Sequence, residues 1–251
     1  MTEKKTSAAY RAIKRLIKAC YPKMEIVGAE NLPAGEAVLV GNHAQIHGPV
    51  ACELYLEGNR YTWCAGQMLH LKEVPAYAFE DFWSHKPRAV HWFYHLLSYL
   101  IAPLSVFVFN NANTIPVYKD ARILNTFRET MEKLAEGARV VILPEHHQPH
   151  NQILCDFQER FVDVARLYYV KTRKELAFVP MYITPKLKKI VVGEPVRFRG
   201  DQPIEQERRR ICDALMNAIT ELAVALPAHT VIPYENLPKS QYPSSRPAGG
   251  A

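Results

Sequence analysis

The stretch "AVLVGNHAQIHGPV", residues 37–50, joins an uninterrupted apolar run to a segment that carries two histidines. A short apolar run bounded by glycine predicts a buried strand. His43 follows this run directly, where a strand end can hold a catalytic side chain rigidly. His47 would share a helical face with His43, but Gly41 and Pro49 favour a loop. The stretch therefore predicts a strand that ends at a histidine, whose role as a base, a metal ligand or a plain loop residue is still open.

Further apolar runs of the same kind recur along the chain, over 60–66, 114–118, 139–145, 177–183 and 189–198. Apolar residues at helical spacing predict helices between them, over 120–137, over 158–172 and from 204 onward. Asp120 is suited to cap the first of these helices, and Gly137 to end it. Alternation of this kind predicts an α/β fold in which a mixed, mostly parallel sheet is flanked by helices.

The domain organisation follows from changes in composition. Residues 1–25 predict a basic amphipathic helix, residues 26–237 a single domain, and the Pro- and Ser-rich residues 238–251 a loose tail. Residues 90–109 contain no Lys, Arg, Asp or Glu over a length that nearly spans a bilayer. His91, His95 and Pro103 favour a hairpin that dips into one leaflet, or a buried helix pair, over a membrane-crossing helix.

Charge and cysteine content narrow the possible partners. The chain has 31 basic and 25 acidic residues, a net charge of +6. This moderate excess suits anionic membrane surfaces or phosphorylated substrates, and its diffuse distribution argues against nucleic acid. Five scattered cysteines indicate reduced thiols, and the first twenty residues lack the apolar core of a signal peptide. We therefore expect a cytoplasmic protein.

Four segments, in chain order, resemble the sequence blocks of a known family. They are "GNHAQIHG" (41–48), "NTIPVYKD" (113–120), "VVILPEHHQPH" (140–150) and "FVPMYI" (178–183). Together they are similar to the blocks N-H-x-x-x-x-D, G-x-I-F-I-x-R, F-P-E-G-T-R and V-P-V of the glycerolipid (1-acylglycerol-3-phosphate) acyltransferases. The resemblance covers residues 26–198, and four blocks in order are more specific than any one of them.

The resemblance implies an enzyme that moves a fatty acyl group from a thioester to a hydroxyl of a lysophospholipid or related glycerolipid. His43 would be the general base, which takes the proton of the attacking hydroxyl. Glu145 would be the catalytic glutamate of the third block, and Pro180 belongs to the fourth. Substrate contacts would come from Asn42, His47, Lys119, Arg122, His146 and His147.

The same resemblance implies the co-substrate, and the apolar segment 90–109 with the basic N-terminal segment favours contact with a membrane. Acyl-CoA or an acyl carrier protein would deliver the acyl group, and no metal or other cofactor is expected. The expected partners are the lipid acceptor and a membrane surface, with the protein held peripherally or monotopically on the cytoplasmic face.

Two departures from the family pattern bear on the mechanism. Gly48 stands where the family has the aspartate that orients the histidine, and His146-His147-Gln148 replaces Gly-Thr-Arg. Glu145, Glu53 and Asp156 are the candidate replacements for that aspartate. Restoring it with Gly48→Asp is expected to raise the rate, provided that the backbone tolerates a side chain there.

Two other interpretations stay open. A catalytically silent descendant could bind lipid on the same scaffold, because a fold does not fix a function. A metal-dependent hydrolase could use His43 and His47, or Glu145 with the histidines at 146, 147 and 150, since imidazole and carboxylate suit zinc and iron.

Overall fold

A computed structural model describes residues 7–246 of the chain. The helices are α1 Ala8–Cys20, α2 His47–Tyr55, α3 Val74–Trp83, α4 His91–Asn111, α5 Ile123–Ala135, α6 Asp163–Thr172 and α7 Ile204–Ala225. The strands are β1 Glu25–Val27, β2 Ala37–Gly41, β3 Arg60–Ala65, β4 Thr114–Val117, β5 Arg139–Ile142, β6 Glu145–Pro149, β7 Cys155–Phe157, β8 Ala177–Thr184, β9 Lys189–Val192 and β10 Val196–Arg197.

The expected single domain divides into two compact units. The first contains the described residues up to Cys20 together with Tyr61–Glu129, and the second contains Tyr21–Arg60 and the described residues from Thr130 onward.

The second unit is built on a mixed sheet in the order β1-β9-β8-β2-β5, with β10 on β8. The pairs β1/β9, β2/β8 and β2/β5 are parallel, whereas β8/β9 and β8/β10 are antiparallel. Helices cover this sheet, so the predicted α/β class with a mixed, mostly parallel sheet flanked by helices is confirmed.

Strand β2 lies between two parallel neighbours, and all five of its residues are buried. This explains its continuous apolar sequence, since a strand covered on both faces has no polar side. Leu39 shares one core cluster with Ala51 and Cys52 of α2, and Phe178 packs against the ring of Phe161. Pro180 lies within β8, opposite Val40 of β2.

Helix α2 and the β6/β7 hairpin were not predicted from the sequence. The prediction of a loop at His47 was wrong because Pro49 lies in the first turn of α2, where its missing N–H is not needed. Strands β6 and β7 form their own antiparallel pair, and Glu145 opposes Phe157 at its open end.

In the first unit, β3 and β4 form a parallel pair and α3 packs against α4 around Met68, Val74, Ala78 and Ala102. The apolar segment 90–109 lies in α4, which is one continuous helix that runs through Pro103. The expected hairpin is therefore wrong, because a proline removes one helical hydrogen bond without forcing a turn.

Helix α4 is also not buried, contrary to the second expectation for this segment. Residues Arg88–Asn111 are long and apolar enough to cross a membrane, yet only 11% of the most apolar window is buried. The exposed apolar side chains are Val90, Trp92, Phe93, Leu96, Tyr99, Leu100 and Leu104. On α1, which lies within the predicted segment 1–25, Leu16 and Ile17 are exposed as well.

The chain from His229 to Ser245 folds back on itself, so 238–246 differ from the expected loose tail. Thr230 and Ser244 form an antiparallel bridge. The Ser245 N–H donates to the His229 carbonyl at 2.8 Å, and Ser245 is fully buried. Residues 247–251 lie outside the described residues. We name residues 229–245 the C-terminal loop.

Candidate functional site

His43 and Glu145, the two expected catalytic residues, lie in contact in the second unit. His43 comes two residues after the end of β2, and Glu145 three residues after the end of β5. Because β2 and β5 are parallel neighbours, their carboxyl ends meet at one edge of the sheet. The main-chain N–H of His43 donates to Oε1 of Glu145. The parallel pairing of β2 and β5 therefore brings the two residues together at this edge.

Both hydrogen bonds given for the Glu145 carboxylate are to main-chain N–H groups. Its other oxygen, Oε2, accepts the Cys155 N–H at 2.8 Å, so both oxygens hold main-chain donors. The side chain is only 3% exposed, and burial raises the pKa of Glu145 to about 7. These contacts suit a residue that fixes the position of the His43 backbone and ties it to the β6/β7 hairpin.

The His43 ring is oriented by a main-chain carbonyl. Its Nδ1 lies within hydrogen-bond distance of the Gln45 carbonyl oxygen, two residues further on. A carbonyl only accepts, so Nδ1 must carry the proton and the neutral ring has its lone pair on Nε2. The Tyr234 ring stands edge-on to the imidazole, with centroids 5.5 Å apart. The geometry thus fixes the tautomer that a base acting through Nε2 requires.

The contacts that the structure gives for the three acidic candidates are with other groups than Nδ1 of His43. Glu145 holds main-chain donors, and Glu53 pairs with Arg60 at 3.1 Å. Asp156 lies 3.9 Å from Nε2 of His146. At Nδ1 the imidazole thus has a neutral acceptor, the Gln45 carbonyl, from within the same loop.

Only glycine fits at position 48, because the main chain of His43 and Asn42 passes close to its Cα. Its N–H donates to the His43 carbonyl at 2.9 Å. A Cβ at this position would overlap that carbonyl oxygen and would lie 2.9 Å from the Asn42 carbonyl oxygen. Both obstacles are main-chain atoms of the site itself. The expectation that Gly48→Asp would raise the rate is therefore reversed.

Asn42 is occupied within the sheet. Its side-chain Nδ2 donates to the Ile183 carbonyl at 3.1 Å, and its Oδ1 accepts the Ile183 N–H at 2.7 Å. The residue is almost fully buried. Asn42 therefore fastens the chain after β2 to the end of β8, a role that differs from the expected substrate contact.

His47 is the first residue of α2 and lies against Tyr21. Its Nδ1 is 3.1 Å from the Tyr21 hydroxyl. Burial lowers the pKa of His47, and the nearby Lys186 and Lys239 lower it further. His47 therefore has partners that differ from those of His43.

The third-block histidines lie on β6, directly after Glu145. His147 is 84% exposed in its side chain, and its Nδ1 is 3.6 Å from Oε1 of Glu235. The Tyr234 ring lies 5.5 Å from the His147 ring, the same centroid distance as to His43. Among residues 7–246 no three His, Cys, Asp or Glu side chains are grouped to hold a metal ion, so the metal-dependent hydrolase has no ligand set there.

Lys119 of the second block and Arg122, which follows the block, belong to the first unit. Lys119 is exposed. The Arg122 guanidinium makes a two-pronged contact with Asp120, at 2.8 and 3.0 Å, and lies over the Tyr118 ring at 3.9 Å. Arg122 would have to share or give up its carboxylate partner to bind a phosphate.

The sequence did not predict that residues of the C-terminal loop contact Gln45, two residues after His43. Gln45 donates from Nε2 to the Glu235 carbonyl and accepts from the Tyr242 hydroxyl. The available signal was the presence of Tyr234 and Tyr242 in a Pro-rich stretch, since disordered segments are poor in aromatic residues.

A cavity of about 450 Å³ lies elsewhere in the second unit. Glu36, Tyr168, Lys174 and Arg197 are among its lining residues, and none of the expected site residues is. Its lining includes Ala177, which begins β8, whereas ligands of open α/β sheets gather beyond the carboxyl ends of the strands. We therefore place the candidate site at His43.

Comparisons with known proteins found similarity to solved structures only. No protein-family model matches the chain, and no curated protein matches it. Among solved structures, the chain is similar to the 1-acyl-sn-glycerophosphate (LPA) acyltransferase PlsC from Thermotoga maritima. The identity is 15%, with 85% of this chain and 82% of that chain covered and a TM-score of 0.46. Likeness at this level is too low to transfer an activity.

The buried Glu145 generates a prediction on pH and stability. Its folded-state pKa of about 7 lies above the ordinary 4.5, so the folded protein binds this proton more tightly than the unfolded chain. This contribution to the free energy of unfolding is complete below pH 4.5 and is lost as the pH rises through 7, a change of about 3 kcal/mol. Urea unfolding from pH 4.5 to 8 should show this decline in the wild type and not in Glu145→Gln. The exposed Glu194→Gln is the control and should decline like the wild type.

The close approach at Gly48 generates a second prediction. Gly48→Ala and Gly48→Asp should both lower the melting temperature, because either Cβ displaces main-chain atoms of the His43 loop. Overpacking of this kind costs roughly 1–3 kcal/mol. Gly35→Ala is the control, since a Cβ there would meet nothing within 4 Å. Unchanged melting in both Gly48 variants would contradict the steric account.

Proposed function

We propose that this chain is an acyltransferase that moves a fatty acyl group from a thioester to a hydroxyl of a lysophospholipid or related glycerolipid, with His43 as the general base. The observation that carries the proposal is the contact between His43 Nδ1 and the Gln45 carbonyl, which leaves Nε2 to accept a proton. The order of the four sequence blocks supports it, and so does the contact between the first-block histidine and the third-block glutamate.

The reaction begins when Nε2 of His43 takes the proton of the acceptor hydroxyl. The hydroxyl oxygen then attacks the thioester carbonyl carbon and forms a tetrahedral intermediate. As this intermediate collapses, the carbon–sulfur bond breaks, and the leaving thiolate takes the proton from the imidazolium. Glu145 contributes by holding the His43 main chain.

A neutral carbonyl can fix the tautomer of an imidazole, as a carboxylate does, but it lacks the negative charge that stabilises the imidazolium. In serine proteases, replacing the orienting aspartate by an amide costs roughly 10⁴ in kcat, because the imidazole adopts the wrong tautomer. The Gln45 carbonyl preserves the correct tautomer, so we expect a smaller loss. It adds no full negative charge to stabilise the imidazolium, and turnover should therefore be modest.

The substrate would include a thioester of coenzyme A or of an acyl carrier protein. The resemblance assigns a phosphate contact to Lys119, which is exposed, whereas Arg122 is engaged by Asp120. No metal or further cofactor enters this scheme.

We further propose that the first unit binds the cytoplasmic face of a membrane, peripherally or monotopically. The support is the row of exposed apolar side chains on α4, including Trp92 and Leu100, which are 69% and 68% exposed. Contiguous exposed apolar surface of this kind marks a protein or membrane contact. Helix α1 adds Arg11, Arg15 and Lys18, which suit anionic headgroups.

A catalytically silent lipid-binding protein is the second candidate. The observation that favours it is the contact of Nδ1 with the Gln45 carbonyl, a neutral acceptor that adds no negative charge beside the imidazole. This candidate predicts lipid binding that does not depend on His43.

Kinetics of histidine variants separate the two candidates. His43→Ala should lower turnover of a long-chain acyl thioester with a lysophospholipid at least ~10²-fold, the usual contribution of a general base. His47→Ala should keep most of the activity, because its partner is Tyr21. Circular dichroism and melting would show that both variants fold. Equal turnover in the wild type and His43→Ala would end the proposal in favour of the silent protein.

Vesicle flotation tests the membrane contact. The wild type should float with phosphatidylglycerol-containing vesicles, more weakly at high salt, and Leu100→Glu should float less because a charge enters the apolar face. Leu124→Glu is the matched control, since Leu124 is 67% exposed on a different helix, α5. Flotation that is equal in Leu100→Glu and Leu124→Glu would contradict a contact through α4.

A further inference from the structure

The Gln45 side chain is held at both of its polar ends. Nε2 donates to the Glu235 carbonyl at 2.9 Å, and Oε1 accepts the Tyr242 hydroxyl at 3.1 Å. Both partners lie in the C-terminal loop, about 190 residues away along the chain. We name these three residues the Gln45 clamp.

The main chain at Gln45 adopts a conformation that is unfavourable without support. Ala44 and Gln45 have φ angles of 46° and 55°, in the left-handed region that non-glycine residues seldom occupy. A residue in this region persists only where surrounding contacts determine its conformation. This conformation also directs the Gln45 carbonyl towards Nδ1 of His43.

The C-terminal loop is held by hydrogen bonds within itself and to the sheet. Its two arms are joined by the Thr230–Ser244 bridge, and the Val231 N–H donates to the Pro243 carbonyl at 2.9 Å. At its base, Nε2 of His229 lies 2.8 Å from the hydroxyl of Tyr182, a buried residue of β8. The clamp is therefore anchored on the central sheet that also carries His43.

We infer that Gln45 is a positioning residue through which the C-terminal loop sets the tautomer and orientation of His43. The side chain anchors Gln45 to the loop, and its carbonyl holds the proton on Nδ1. In this chain the C-terminal loop thus performs, through one glutamine, the task that an orienting carboxylate performs elsewhere. The effect on turnover rests on the proposed function, whereas the effect on the imidazole does not.

The imidazole itself gives the first test. In ¹⁵N-labelled protein, the neutral His43 ring should show the Nδ1–H tautomer, identified by comparison with His43→Gln. Tyr242→Phe removes only one hydroxyl from the clamp, and Gln45→Met removes both polar ends at similar side-chain length. Both variants should gain the Nε2–H tautomer, with the larger gain in Gln45→Met.

The matched control is Tyr168→Phe, which removes a tyrosine hydroxyl that is 2.7 Å from Glu36 in the same unit. It should leave the His43 tautomer as in the wild type. A His43 tautomer that is unchanged in both clamp variants would overturn the inference, and so would an equal change in Tyr168→Phe.

Kinetics give the second test, with the same variants. Tyr242→Phe should lower kcat about 3- to 10-fold at constant KM, the equivalent of one uncharged hydrogen bond. Tyr168→Phe should lower neither quantity. If the wild type turns over no acyl thioester, the proposed function fails, and the tautomer measurement still decides the positioning role. A fall in kcat with an unchanged tautomer would assign the loss to another cause and overturn the inference.

Discussion

The candidate site depends on the hydrogen bond between the His43 N–H and the buried Glu145 carboxylate. The two residues follow adjacent parallel strands, so the backbone of the sheet alone places these two positions next to each other. The carboxylate then fixes the main chain from which the imidazole extends, and its second oxygen fixes the hairpin at Cys155. Burying this carboxylate raises its pKa, which couples the geometry of the site to pH.

The Gln45 carbonyl reaches the imidazole through two consecutive left-handed residues, Ala44 and Gln45, which contacts with the C-terminal loop support. The first turn of α2 also approaches the same segment so closely that a Cβ at 48 would overlap the His43 carbonyl oxygen. The absent aspartate is therefore accounted for by a different local backbone, in which an aspartate side chain has no room.

The first unit presents a different physical constraint. Helix α4 buries only Ser98 and Ala102, and it exposes six large apolar side chains to water: Trp92, Phe93, Leu96, Tyr99, Leu100 and Leu104. Exposed apolar area of this kind is unfavourable in water, and an acyl group or a bilayer would cover it at a gain of roughly 25 cal/mol per Å². A lipid substrate and an apolar helix face are thus mutually consistent, although each is tested by a separate experiment.

The sequence by itself determined the fold class, because the apolar runs at β2, β5 and β8 and the helical spacing of α5 and α7 are local patterns. It also placed His43 and Glu145 after strand-like runs, and the parallel pairing of β2 and β5 in the structure brings them together. The tertiary structure alone decided what Glu145 holds, what orients the imidazole and why residue 48 is glycine. These features depend on main-chain carbonyls and on Tyr242, which lies almost two hundred residues away from His43. Because nearly every residue carries the same main-chain groups, no side-chain pattern in the sequence predicts such contacts.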